Sequence, residues 1–169
     1  DHNRMAPPVV PVPAGADDRG TDLPDLVPIE RRKTYDIRRA IEAIVDPDSF
    51  FELKERFARP AVTGLARLGG QTVGIIATNP RYKGGALDAD SCSKITNFIV
   101  LCDSFNVPLV FMADTPGFLI GTEAERRGMA GRIMNFLAAV EEATVPKIAL
   151  VLRKSFGQAY INMGGGKAD

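Results

Sequence analysis

Histidine is nearly missing: the 169 residues carry one, His2. That scarcity removes Ser-His-Asp and Cys-His nucleophile arrangements, HExxH zinc sites and histidine-ligated haem. Cysteine is almost as scarce, with only Cys92 and Cys102. On one helix they stand about 15 Å apart along its axis, too far to bridge each other. With no CxxC and no histidine nearby they make no metal site, and they read as buried or half-buried free thiols. Net charge is absent too, because Lys+Arg and Asp+Glu number 21 each. A zero balance argues against nucleic acid or an anionic membrane as the main partner. No apolar run approaches the roughly 20 residues of a membrane span, and the first residues carry no secretory-leader pattern. Any chemistry here falls to backbone dipoles, carboxylates, lysines or a partner chain.

The length suits one domain with a real core, and 45% hydrophobic with 25% charged residues is an ordinary globular balance. Residues 1–28 hold six of the twelve prolines and few bulky apolar side chains, so an extended linker or disordered tail is expected there, with the domain over 29–169. The chain starts at Asp and stops after a Gly-rich run, the expected look of a piece of a longer polypeptide.

Asp36 is placed to cap a helix with Ile37, Ile41, Ile44 and Val45 on one face, stopped by Asp46-Pro47. A second short helix is expected near Asp48 to Phe57, presenting Phe50, Leu53 and Phe57. Thr63–Leu68 and Gln71–Ala77 read as strands joined by Gly69-Gly70, a two-residue hairpin signal. After the irregular loop Thr78 to Leu87, a helix is expected from Asp88 to Phe105, with Ile95, Phe98, Ile99, Cys102 and Phe105 at helical spacing. Pro108–Ala113 is an apolar run suited to a strand buried on both faces. The turn Asp114 to Gly121 (DTPGFLIG) leads into one long helix, Glu123 to Ala143, with Met129, Ile133, Phe136, Leu137 and Val140 inward and an exposed Glu123/Arg127 pair. The strand Lys147–Leu152 then meets a polar turn, Arg153-Lys154-Ser155, and small residues around Gly157–Ala159 open a last helix.

Two Gly-rich turns thus follow two parallel strands, at the edge where open α/β sheets bind ligands. Backbone N–H groups at the start of a helix are unpaired and can hold a developing oxyanion, although small residues there also serve tight helix–sheet packing. Asp114 suits a base or orienting carboxylate, and equally a turn cap. Pro116-Gly117-Phe118 is either an aromatic face for a ring-shaped ligand or a simple turn. Gly84-Gly85-Ala86 is either a second set of donors or a flexible loop. Lys83, Arg153 and Lys154 fit phosphate or carboxylate contacts, or plain solvation. A GTPase reading fails for want of GxxxxGK[ST], since Gly166-Lys167 is followed by Ala168; a dinucleotide reading fails for want of GxGxxG.

Taken in order, YDIRRAIEAIVDPDSFFEL, LGGQTVGIIATNP, CDSFNVPLVFMADTPGFLIG, EATVPKIALVLRKSFGQAY and GKAD resemble the carboxyltransferase component of biotin-dependent acyl-CoA carboxylases, the propionyl-CoA carboxylase β-subunit type, from about Leu26 to Asp169. The resemblance implies an α/β crotonase-like superhelix of strand-strand-helix repeats, here incomplete and matching the first part of the second of two such halves. It implies carboxyl transfer from carboxybiotin to the α-carbon of an acyl-CoA. The acyl-CoA would bind mainly on the other half, in a dimer-based homo-oligomer, as a hexamer. Biotin would arrive on a separate carrier from a biotin carboxylase/carrier subunit, in the cytoplasm or a mitochondrial matrix.

By the same resemblance, the amides of Gln158 and Ala159 would hold the ureido oxygen. Pro116, Gly117, Phe118, Gly157 and Tyr160 would line the biotin side, and Ile161, Gly84, Gly85 and Ala86 the substrate side. Two departures stand out: family members commonly read Gly-Gly-Ala-Tyr-Asp where this chain has Gly157-Gln158-Ala159-Tyr160-Ile161. They leave open a decarboxylase or a different acyl-CoA. Alternatives outside the family reading are a crotonase-type hydratase, isomerase or thioesterase, for which no obvious catalytic Glu or Asp follows Ala159 on the helix, and a non-catalytic assembly module.

Overall fold

The computed structural model describes residues 4–12, 19–166 and 168; His2, residues 13–18 of the expected linker, and Lys167 and Asp169 of the GKAD phrase lie outside them. One five-stranded sheet organises the chain in the order β1 (Phe51–Leu53), β2 (Ala61–Leu68), β3 (Gln71–Thr78), β4 (Leu109–Thr115) and β5 (Lys147–Ser155). The first three strands pair antiparallel, and β3, β4 and β5 run parallel. The β2–β3 turn has the expected two residues, Gly69 and Gly70, both left-handed at φ 58 and 79, which a right-twisted hairpin requires. The carboxylate of Asp46 caps it, accepting the Gly69 and Gly70 N–H groups at 2.9 and 2.7 Å.

Strand alternation sorts the core into two layers. Ile75, Ala77, Val110 and Met112 face α2 (Ile37–Ile44), whose Ile37, Ala40 and Ile41 are buried and whose cap, Asp36, accepts from the Arg38 N–H at 3.2 Å. Ile76, Phe111 and Ala113 face α3 (Ala89–Ser104) and α5 (Met129–Glu142), which bring Ile95, Phe98, Phe136 and Val140. β4, covered on both sides, is buried at every position, as its continuous apolar run predicts. Cys92 and Cys102 are buried free thiols, both pushed up to about 12 by burial. Lys94 is also buried, and its Nζ donates to the carbonyls of Lys54, Phe57 and Ala61 at 3.1, 2.9 and 2.7 Å.

Four expectations change. The segment Asp48 to Phe57 is not helical: Asp48 and Lys54 take left-handed φ of 54 and 55, and Phe51–Leu53 pairs with Thr63–Leu65 as an edge strand. Of the side chains expected on that helix, Phe50 and Leu53 pack partly buried against the core and Phe57 is exposed. The helix expected over Glu123 to Ala143 is broken into α4 (Thr122–Arg126) and α5 at Gly128, whose φ is 68. The Glu123/Arg127 pair gives way to an Arg127–Asp90 ion pair at 2.8 Å, because α3 lies beside the break. Last, the strand does not stop at Leu152; Arg153-Lys154-Ser155 belongs to β5. Within residues 1–28, Val10 donates to Gly70 O at 2.9 Å, Thr72 donates to Pro8 O at 2.6 Å, and α1 (Leu23–Leu26) lies against α2.

Candidate functional site

The carboxyl ends of β4 and β5 are built around Asp114, a carboxylate with no exposed surface. Ala113 pairs with Val151 and Thr115 with Ser155, so β5 spends four residue steps where β4 spends two. That bulge turns both Arg153 and Lys154 toward Asp114. The Arg153 Nε donates to Oδ2 at 2.6 Å, with the two side chains 5% and 0% exposed. The Lys154 Nζ stands 3.7 Å from Oδ1 and donates to Gly84 O at 3.2 Å. Arg153 also stacks 4.8 Å over the Tyr35 ring, and its Nη1 donates to the carbonyls of Pro28, Glu30 and Lys33. Burial first, and then the Asp114 charge, push the Tyr35 phenol well above its ordinary range. Of the readings open for these cations, plain solvation does not fit Arg153 and Lys154, whose side chains lie largely out of solvent against Asp114, whereas Lys83 stays half exposed while pairing with Asp88 at 2.6 Å.

These strand ends draw three of the named segments together. Gly84 and Gly85 lie in a 3-10 turn (Lys83–Gly85), pressed so closely on the sheet that a Cβ on Gly85 would sit 2.3 Å from Asp114 O. Ala86 follows, buried. Leu87 donates to Gly117 O at 3.1 Å and Leu119 donates to Leu87 O at 2.8 Å, which knits this loop to Pro116-Gly117-Phe118. Phe118 is half-buried against the core, so it is Pro116 that this turn leaves exposed. The pairing of Thr115 with Ser155 then brings both loops to the end that leads into Gly157.

Beyond Phe156 the chain opens α6 (Gly157–Tyr160), continued by a wider turn, Ile161–Gly165. Gln158 and Ala159 are its second and third residues, so their N–H groups have no acceptor within the helix. They meet none among the other described residues either. Gly157 and Gln158 are exposed and Ala159 is buried. The Gln158 side chain is drawn along the helix, its Nε2 donating to Asn162 Oδ1 at 2.8 Å, while Asn162 donates to Ile133 O on α5 at 3.0 Å. That anchorage keeps it from folding back across the helix start. Tyr160 lies over Gly165 and lines a pocket of about 340 Å³ with Ser155, Met163 and Gly164. Ile161 follows one turn further on and is exposed. Two free N–H groups beside a Gly-rich cleft can hold an anionic oxygen, and no acidic side chain follows Ala159 before Gly166 to act as a base. The Asp114–Arg153–Lys154 cluster was concealed in the sequence by the bulge, since regular alternation puts Arg153 and Lys154 on opposite faces.

Residues 1–169 match the family described as the carboxyl transferase domain. The methylmalonyl-CoA carboxyltransferase 12S subunit of Propionibacterium freudenreichii subsp. shermanii is 45% identical over 143 residues, covering 85% of this chain and 27% of that protein. The putative propionyl-CoA carboxylase beta chain of Bacillus subtilis is 44% identical over 138 residues, covering 82% and 27%. A crystal structure of transcarboxylase 12S, described as a hexamer with hydrolysed methylmalonyl-coenzyme A bound, superposes with a TM-score of 0.94 at 40% identity over 99% of this chain and 33% of that one. The fold is therefore the crotonase-like one of carboxyltransferases, and the chain spans a third or less of each of these relatives.

Proposed function

This chain belongs to the carboxyl transferase domain family, and from that premise we propose that it furnishes the biotin-facing part of a biotin-dependent acyl-CoA carboxyltransferase. The observation that carries the reading is the pair of unpartnered N–H groups on Gln158 and Ala159 at the end of β5. Carboxybiotin, on a separate carrier, supplies the carboxyl group and leaves a cyclic urea able to take the α-proton of the thioester. The task for Gln158 and Ala159 is to hold the urea oxygen as negative charge grows on it, which needs fixed donors and no ionisable catalyst. That fits a domain with one histidine in 169 residues. Pro116 and Gly117 wall the approach from β4; the Gly84–Ala86 loop, expected on the substrate side, is bonded to that turn through Leu87 and so closes the same approach from β3.

The acyl-CoA falls mainly to surfaces outside this chain, and the active form is a homo-oligomer, a hexamer by likeness to the transcarboxylase. Gln158 keeps the amide where the family usually has Gly, and Ile161, where the family usually has Asp, is the departure in this chain that bears on acyl preference. The test uses the full-length polypeptide that carries this chain, run in reverse with methylmalonyl-CoA or malonyl-CoA and free biotin. Acyl-CoA release that depends on biotin is the expected result. Turnover of an acyl-CoA without any biotin dependence would favour a crotonase-type hydratase or thioesterase, and no turnover would favour an assembly role.

A further inference from the structure

We propose that Lys154 is a positioning residue for this reaction, clamping the Gly84–Gly85 loop and the Pro116–Phe118 turn, as one body, to the strand that leads into Gln158 and Ala159. The inference rests on the carboxyl-transfer reading and adds the part that holds the cleft in register.

Charge balance does not account for Lys154. Asp114 is already matched by Arg153, whose Nε sits 2.6 Å from Oδ2. Lys154 brings a second cation to the same buried carboxylate at 3.7 Å, beyond hydrogen-bond reach. Two cations on one carboxylate leave the cluster with one positive charge in excess, and burying such charges gains little stability. The hydrogen bond that Lys154 does make goes to Gly84 O, at 3.2 Å across 70 residues of sequence. Its ammonium is thus held in place by Asp114 and spends its directed bond on the loop.

That loop has little else to fix it to β5. Its own bonds run to its neighbours, Gly85 N–H to Tyr82 O and Ala86 N–H to Lys83 O, and to the Pro116–Phe118 turn through Leu87. Gly85 presses on Asp114 O, so the loop rides on β4. β5 reaches this body indirectly, through the Thr115–Ser155 pairing and the Arg153 bond to Asp114 beneath the loop, and directly through the Lys154 side chain. Lys154 also lies three residues before Gly157, near the end of the strand that opens α6. Displacing a group by about 1 Å from its reacting position can cost as much as 100-fold in rate.

The experiment uses the full-length enzyme with free biotin and an acyl-CoA varied separately, comparing wild type, Lys154→Met and Lys154→Arg. Lys154→Met is expected to raise the KM for biotin about tenfold, with the KM for acyl-CoA and the melting temperature little changed. Lys154→Arg, which keeps a cation able to reach both Gly84 O and Asp114, is expected to recover most of that loss. Unchanged kinetics in Lys154→Met, a KM for acyl-CoA that rises as much as that for biotin, no rescue by Arg, or a loss matched by a collapse in melting temperature would each overturn the proposal. A wild type without biotin-dependent turnover would sink the carboxyl-transfer reading instead. Hydrogen exchange at the Gly85, Ala86 and Leu87 amides then decides the clamp alone: faster exchange in Lys154→Met upholds it, and unchanged exchange discards it.

Discussion

Arg153→Met tests how the strand end is held. Arg153 and Asp114 are 5% and 0% exposed, so the substitution leaves a carboxylate buried beside Lys154 at 3.7 Å without its 2.6 Å partner. Removing one member of a buried pair costs about 3–5 kcal/mol. The guanidinium also clasps the segment ahead of α2, its Nη1 donating to Pro28 O at 3.0 Å and to Glu30 O and Lys33 O at 2.9 Å each. One Nη carries two hydrogens, so two of those three bonds are complete at a time. At about 1.5 kcal/mol for each charged-donor bond, the clasp contributes roughly 3 kcal/mol, or about 100-fold in the population of the opened segment. Limited trypsin digestion of the full-length protein reads this directly, because Arg31, Arg32 and Lys33 are exposed residues within the clasped stretch. When reclosing outpaces cleavage, the rate follows the opened population. Arg153→Met is expected to be cut about 100-fold faster there, and the double variant with Asp114→Asn to recover part of the lost thermal stability. Equal cleavage rates, or a double variant no better than the single one, would refute the reasoning.

Two further outcomes follow from close packing and from burial. Gly85→Ala forces a Cβ to 2.3 Å from Asp114 O at a φ of 87, so a loss of about 3 kcal/mol or more is expected in thermal or urea unfolding. Burial drives the Lys94 ammonium from its ordinary 10.5 down to about 8. Above about 8 the folded state has released a proton that the unfolded chain still holds, so this group makes stability rise with pH, by up to about 1.4 kcal/mol per unit. Cys92 and Cys102 act the other way above their ordinary 9, because the unfolded thiols ionise first. The difference between wild type and Lys94→Met from about pH 7.5 to 9 isolates the lysine, and a flat difference would contradict the assignment.

Much of the scaffold was legible from local chemistry. Gly69-Gly70 and Asp36 mark a turn and a cap through their own backbone preferences, and each appears where it was expected. The apolar run of β4 needed two covered faces, and α2 on one side with α3 and α5 on the other supply them. What escaped depended on distant partners. Phe51–Leu53 is a strand because the β2 edge was free to pair, and Phe50, Leu53 and Phe57 fit a helix equally well by spacing. Arg127 points to Asp90 because α3 passes beside Gly128, a contact 37 residues away in sequence. Arg153 and Lys154 looked like solvated turn residues because their acceptor, Asp114, lies on the neighbouring strand beyond a bulge.

The central claim is that main-chain donors at Gln158 and Ala159 steady the oxyanion. Gln158→Pro deletes one of them at a first-turn position, where proline fits a helix without breaking it. Gln158→Ala, which keeps the N–H and loses only the bond to Asn162, is its control. Measured as biotin-dependent carboxyl transfer in the full-length enzyme, Gln158→Pro is predicted to fall by about 10²–10³-fold with acyl-CoA binding intact, and Gln158→Ala to stay close to wild type. Wild-type transfer in Gln158→Pro would contradict the account.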